Sequence, residues 1–156
     1  MRLLPKKDGG FGHWDDPRIQ PDVIVFMLGV NNIGHIDEPV VDKVVAGDIA
    51  VIRRLRALRP NAHILVQSIL PTNKPGDAER FIQPINTRLR AELPALGGNI
   101  SWLDLYPSYV TSDGAQDGAL FRDGYHPTVA GYRVWRSRLL PVLSALRSSR
   151  SAPPQN

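Results

Sequence analysis

The chain has no cysteine among its 156 residues, which excludes disulfide bonds, thiolate nucleophiles and cysteine-ligated metal sites. It also has no apolar run near the roughly 20 residues that span a bilayer as a helix. The opening stretch 1–7 carries charges but no hydrophobic signal core. We therefore expect no membrane span. The compartment stays open, because a start upstream of Met1 would place any signal outside this sequence.

Acidic residues are outnumbered, with 15 Asp and Glu against 19 Lys and Arg and a net charge of +4. Most of the excess is arginine, in two groups: Arg53, Arg54, Arg56 and Arg59, then Arg133, Arg136 and Arg138. A nucleic-acid surface usually adds a groove-reading motif or stacking aromatic residues. These arginines instead fall on polar faces or C-terminal ends of predicted helices, where the helix dipole favours cations. We expect no nucleic-acid partner, and a basic nucleic-acid binder remains an alternative hypothesis.

The composition is otherwise ordinary for a globular protein, with 42% hydrophobic and 22% charged residues. A chain of this length is the size of one domain with one core. Residues 1–20 are polar and glycine-rich and are predicted to be a loop. Residues 21–147 form the predicted domain, and 148–156 the predicted disordered tail.

Strand and helix patterns alternate along the predicted domain. The strands are predicted at Val23–Leu28, Ile64–Leu70 and Ile100–Leu105, and the helices at Pro39–Leu58, Glu79–Leu93 and Thr128–Leu146. The first strand is an unbroken apolar run, which is typical of a strand buried on both faces of a parallel sheet. The alternation predicts an α/β sandwich with a mainly parallel sheet.

The first polar segment whose side chains suit catalysis is Gly29-Val30-Asn31-Asn32, directly after the first strand. Functional sites of parallel sheets lie beyond the carboxyl ends of the strands. Asn31 can aim its amide over that edge as a donor to an oxyanion, where a single donor contributes about 3–4 kcal/mol. The alternative is an ordinary turn, because asparagine tolerates left-handed backbone and bonds to its own backbone.

The second polar segment is Asp123-Gly124-Tyr125-His126-Pro127, just before the last helix. A general-base imidazole needs an acceptor on its other ring nitrogen to hold one tautomer, and an aspartate three residues away supplies one. Pro127 favours an extended backbone at His126 and suits the start of a helix. A solvated surface loop is the alternative interpretation.

Taken together, the two segments resemble the SGNH (GDSL-like) hydrolase family. Gly-x-Asn-Asn after a strand and Asp-x-x-His-Pro before the C-terminal helix are similar to its third and fifth sequence blocks, and the likeness spans roughly residues 21–147. Asn32 replaces the usual aspartate, a variation also found in the branch that includes platelet-activating-factor acetylhydrolase catalytic subunits. The resemblance implies a three-layer, flavodoxin-like SGNH fold that lacks its first strand or strands.

The resemblance also implies roles for particular residues. Asn31 would be the oxyanion-hole side chain, His126 the general base and Asp123 its orienting partner. A second family block supplies a glycine N–H to the oxyanion hole, and the loop around Gly12 is a candidate remnant of it. A flexible glycine loop explains Gly12 equally well.

The nucleophile that the family carries in a Gly-Asp-Ser segment is not found in this chain. Ser68 ends a strand on the correct edge of the sheet but lies in an apolar run, and Ser101 opens a strand at the opposite edge. Ser108 and Ser112 fall in a loop. None has the sharp strand-to-helix turn that exposes a nucleophile.

The remaining histidines and aromatic residues carry weaker signals. His35 follows the glycine turn and is a candidate for the cleft, whereas no histidine pair has helical metal-site spacing, so we expect no metal or other cofactor. Four aromatic residues suit either the core or an acyl pocket: Trp102, Tyr106, Tyr109 and Phe121.

Three hypotheses follow from these patterns. The first is a carboxylic ester hydrolase of the acyl-serine type, cut short at its N terminus and inactive alone, that acts on small-acyl, small-molecule or carbohydrate esters. Loss of a central strand would leave a sheet edge open to self-association. The second is a non-catalytic ligand-binding module of the same fold, and the third is the nucleic-acid binder.

Overall fold

A computed structural model describes residues 16–33, 35, 38–73 and 78–151. The predicted alternation of strands and helices is confirmed. The elements in chain order are β1 (Val23–Phe26), α1 (Val30–Ile33), α2 (Val40–Leu58), β2 (His63–Gln67), α3 (Ala78–Glu92), β3 (Ile100–Leu103) and α4 (Val129–Ser151). Single 3-10 turns occupy Leu93–Leu96, Tyr106–Ser108 and Gly118–Leu120.

The strands form one parallel sheet in the order β1-β2-β3. Val25 pairs with Leu65, and Val66 pairs with Trp102. Because all three strands run the same way, the segments that follow them meet at one edge of the sheet. Among the described residues β1 pairs with β2 alone, so its other edge is open.

One face of the sheet is covered by α2 and α3. Ile24 and Phe26 of β1 and Ile64 and Val66 of β2 point into this core, where they meet the buried side of α2. The three-and-four spacing of the apolar residues in α2 sets that side. α2 ends at Leu58, two residues before Pro60, and the predicted helix Pro39–Leu58 is confirmed to within one residue.

The other face is covered by α4, which completes the three layers. Leu65 and Leu103 pack there against Trp135 and Leu139 of the helix. Val25 of β1 points to the same face but is 43% exposed. The expectation that this strand is buried on both faces is therefore wrong at Val25, because β1 is an edge strand and no described element covers it there.

The C-terminal helix is longer than its sequence pattern predicts. α4 continues to Ser151 instead of ending near Leu146. The expectation of disorder is wrong for residues 148–151, and 152–156 lie outside the described residues. The hydroxyl groups of Ser148 and Ser149 donate to backbone carbonyls one turn earlier, at 3.1 and 2.9 Å. No proline lies between Leu146 and Pro153, so none ends the helix earlier. No helix in the described part of the chain combines the length and apolarity of a bilayer span.

Candidate active site

The turn after β1 places Asn31 at the carboxyl edge of the sheet. Gly29 has φ +117°, a left-handed conformation that favours glycine, and a Cβ there would lie 2.7 Å from Ile69 Cδ1. The carbonyl of Gly29 accepts the N–H of Asn32 at 2.8 Å, which begins the short helix α1. The side chain of Asn31 is therefore held at an exposed position directly beyond the strand.

The loop before α4 brings an imidazole and a carboxylate into direct contact. Asp123 Oδ2 lies 2.7 Å from His126 Nδ1. Asp123 Oδ1 accepts the backbone N–H groups of Tyr125 and His126, at 3.0 and 2.9 Å. One carboxylate thus shapes the loop and orients the ring that the loop carries.

Hydrogen bonds from His126 lower the pKa of Asp123 well below its ordinary value, first through the His126 backbone N–H and then through its ring. Asp123 is therefore ionised at neutral pH and can only accept hydrogen bonds. The neutral imidazole must then carry its proton on Nδ1, which leaves Nε2 free to accept one. This is the tautomer that a general base requires.

The loop is tied to the rest of the molecule from two sides. The carbonyl of Gly124 accepts hydrogen bonds from Thr72 Oγ1 at 2.9 Å and from Gln116 Nε2 at 2.8 Å. On the α4 side, the buried Tyr109 hydroxyl donates to the carbonyl of Gly131 at 2.7 Å. These bonds set the height of His126 above the sheet edge.

Asn31 and His126 line one cleft, with a cavity volume of about 230 Å³. Its walls are mainly apolar and come from the segments after β1 and β2 and from the start of α4: Met27, Leu28, Val30, Ile69, Leu70, Pro71, Tyr125, Pro127, Tyr132 and Trp135. The cleft combines one amide donor, one oriented base and an apolar lining. Such a site can polarise a carbonyl group and move a proton beside it.

None of the described serines lines the cleft that holds His126. Ser68 is fully buried, and its Oγ accepts the N–H groups of Leu105 and Tyr106 at 2.8 and 2.9 Å, so it serves the backbone. Ser101 Oγ lies 2.8 Å from His63 Nε2. That pair sits near the amino ends of β2 and β3, and neither residue lines the cleft.

The other candidate residues fall outside the cleft. His35 is exposed and does not line it. Tyr106, Tyr109 and Phe121 are buried core residues, and Trp102 packs against the core on the α2 and α3 side. Gly12, proposed for the oxyanion hole, lies outside the described residues.

Sequence reasoning missed Asp48, a buried carboxyl on α2 that is 5% exposed. Its Oδ2 has no hydrogen-bond partner and lies 3.6 Å from where a Cβ on Gly29 would be. Burial raises its pKa to about 7. The sequence held a signal for it. Asp48 falls on the buried stripe of α2, whose other members, among them Val45, Ile49 and Ile52, are apolar.

The layered fold and its cleft define a structural class, the three-layer α/β proteins with a parallel sheet. Within that class, the chain belongs to the GDSL-like lipase/acylhydrolase family, whose pattern matches residues 5–134. It is 33% identical over 115 residues to the platelet-activating factor acetylhydrolase IB subunit alpha2 of Rattus norvegicus, covering 73% of this chain. It is 30% identical over 142 residues to the alpha1 subunit of Bos taurus, covering 86% of this chain. The chain spans 48% of the alpha2 and 58% of the alpha1 relative.

Solved structures show the same fold. A GDSL-like lipase from Bacteroides thetaiotaomicron superposes with a TM-score of 0.68 at 22% identity, over 93% of this chain and 72% of the other. A carbohydrate esterase family 3 protein from Talaromyces cellulolyticus gives 0.66 at 21%, over 91% and 66%. An acetyl esterase mutant crystallised with acetate gives 0.63 at 24%, over 84% and 61%.

Proposed function

We propose that this domain takes part in the hydrolysis of carboxylic esters of small acyl groups by an acyl-serine route. Asn31 supplies an oxyanion donor, His126 is the general base and Asp123 orients it. The observation that carries the proposal is the Asp123–His126 pair, 2.7 Å apart, in the cleft that Asn31 also lines. Family membership supports the reaction class.

The proposed nucleophile is a serine that is not among the serines of this chain. Full burial and two backbone hydrogen bonds to its Oγ argue against Ser68 in that role, and no Gly-Asp-Ser segment occurs in the 156 residues. His126 Nε2 would take the proton of that serine as its oxygen attacks the carbonyl carbon. The protonated ring would then give this proton to the leaving alcohol, and water would release the acid in a second round.

Small acyl groups are proposed from the size and lining of the cleft. A cavity of about 230 Å³ with apolar walls suits a short acyl chain better than a long one. The names of the relatives, acetylhydrolase and acetyl esterase, point the same way. Among the neighbours are carbohydrate esterases, so an acetylated sugar is a natural substrate to test beside a simple ester.

The proposal is tested by hydrolysis of p-nitrophenyl acetate. The 156-residue chain is compared with the same chain extended by its upstream codons, each with His126→Ala, Asn31→Ala and Asp123→Asn. We expect activity in the extended chain alone. There, Asn31→Ala lowers kcat by about 10²–10³, and Asp123→Asn, which favours the wrong tautomer, by up to about 10⁴.

Ser101→Ala is the matched control, because Ser101 is also paired with a histidine but lies away from the cleft. It should leave the rate unchanged. Hydrolysis by the short chain that Ser101→Ala removes would move the nucleophile to the His63 pair and contradict the proposal. If the extended chain is silent but binds the ester in a manner that needs Asn31 and His126, the domain is a ligand-binding module.

A further inference from the structure

A carboxyl group lies directly beneath the turn that carries Asn31. Asp48 sits on α2 and is 5% exposed. Its Oδ2 is 3.6 Å from the position that a Cβ on Gly29 would take, which is an ordinary van der Waals distance. The tight space that requires glycine at this position also brings the acid against the turn.

The oxygen that faces the turn is unsatisfied. Oδ2 of Asp48 is buried and has no hydrogen-bond partner in the structure. A buried polar atom without a partner costs about 1–3 kcal/mol and therefore calls for an explanation. In the turn itself, the carbonyl of Gly29 is occupied by the N–H groups of Asn32 and Ile33.

Asp48 and the two asparagines also share a cavity. Its volume is about 410 Å³, and it is lined by the segment from Met27 to Asn32 together with Val44, Gly47, Asp48 and Val51 of α2. Asp48 is the single ionisable residue in that lining, and desolvation alone raises its pKa to about 7. The adjoining cleft, which Asn31 also lines, holds three titratable residues: Tyr125, His126 and Tyr132.

We infer that Asp48 is a positioning residue for the oxyanion turn: its neutral carboxyl packs beneath the turn and allows Asn31 to keep its working arrangement. The inference rests on the proposed role of Asn31. Once ionised, the carboxylate becomes a strong acceptor without a donor, and its Oδ2 lies against the turn at Gly29. It then attracts the hydrogen-bond donors of that turn. It also places a negative charge close to the site where the oxyanion forms.

The inference can be tested without turnover, on the 156-residue chain labelled with ¹⁵N in a His126→Gln background. The side-chain amide of Asn31 and the backbone amide of Gly29 are followed by NMR as the pH is raised through 7. We expect both to shift with an inflection near the pKa of Asp48, about 7. Asp48→Asn, which is isosteric, should abolish the inflection.

Asp42→Asn is the matched control, because Asp42 lies on the same helix but is exposed, and it should keep the inflection. Resonances that stay flat in the parent, or that titrate equally in Asp48→Asn, overturn the inference. In the extended chain, Asp48→Asn should remove a fall of kcat above pH 7 and leave KM unchanged; retention of that fall also overturns it. If no chain turns over, the proposed function fails and the NMR titration still decides the role of Asp48.

Discussion

At the scale of single residues, two carboxyl groups near the cleft have different pKa values because their environments differ. Asp123 is about half exposed and accepts three hydrogen bonds from Tyr125 and His126, so its pKa lies well below the ordinary value. Asp48 is buried without a partner, and its pKa rises to about 7. Asp123 therefore stays ionised at neutral pH, whereas Asp48 changes charge there.

Asp48 should make the stability of the domain depend on pH. Between the ordinary carboxyl value of 3.8 and about 7, the unfolded chain gives up this proton before the folded chain does. The free energy of unfolding therefore falls as the pH rises through this window, and the loss persists above it. The difference corresponds to at most about 4 kcal/mol.

Asp48→Asn should flatten that dependence and raise the melting temperature at pH 8 relative to the parent, because the amide has no charge to bury. The measurement is a series of thermal melts at several pH values, with Asp42→Asn as the exposed control on α2. Equal pH slopes in the parent and in Asp48→Asn would show that the buried carboxyl is not destabilising.

At the scale of elements, α4 is positioned by close packing at its first turn. A Cβ on Gly131 would lie 2.4 Å from the carbonyl oxygen of Leu120, and the carbonyl of Gly131 accepts the Tyr109 hydroxyl. His126 lies in the loop just before this turn. The same contact that seats the helix therefore sets the position of the proposed base.

Two glycine substitutions in helices should have opposite effects. Gly131→Ala should lower the free energy of unfolding by about 1–3 kcal/mol, because the added methyl group overlaps backbone. Gly47→Ala, where a Cβ would meet nothing within 4 Å, should raise it by about 0.5–1 kcal/mol through reduced freedom of the unfolded chain. Denaturant titrations of the two variants beside the parent check both signs, and equal effects would refute the packing explanation.

At the scale of the whole molecule, the open edge of β1 is the conspicuous feature of the described structure. The strand pairs on one side with β2, and Val25 is 43% exposed on the face shared with α4. An open apolar edge is a template for pairing with another strand. We propose that the 156-residue chain associates through this edge or is only marginally stable.

Val25→Lys should weaken self-association, because a lysine on an edge strand opposes edge-to-edge pairing. Sedimentation velocity across a wide concentration range gives the measurement. Ile19→Lys is the control, since Ile19 is 42% exposed but lies outside the strands, and it should associate as the parent does. A parent chain that is monomeric throughout and melts at high temperature would contradict the proposal.

Periodicity and local motifs were enough to predict the layered α/β fold, the parallel crossover, and Asn31, Asp123 and His126 as candidates. These features depend on residues close together in the chain: apolar spacing within an element, glycine after a strand, and an aspartate three residues before a histidine. α2 was placed to within one residue for that reason. The kinetic test checks the roles proposed for these three residues.

Tertiary structure alone decided what depends on neighbours distant in sequence. It showed that Val25 is exposed, that Ser68 serves the backbone of the segment after β3, and that Asp48 lies under the Gly29 turn. The free energy of burying a charge or pairing a hydroxyl depends on which atoms the fold brings within a few ångströms. A linear sequence states which side chains exist, and only packing determines which of them meet.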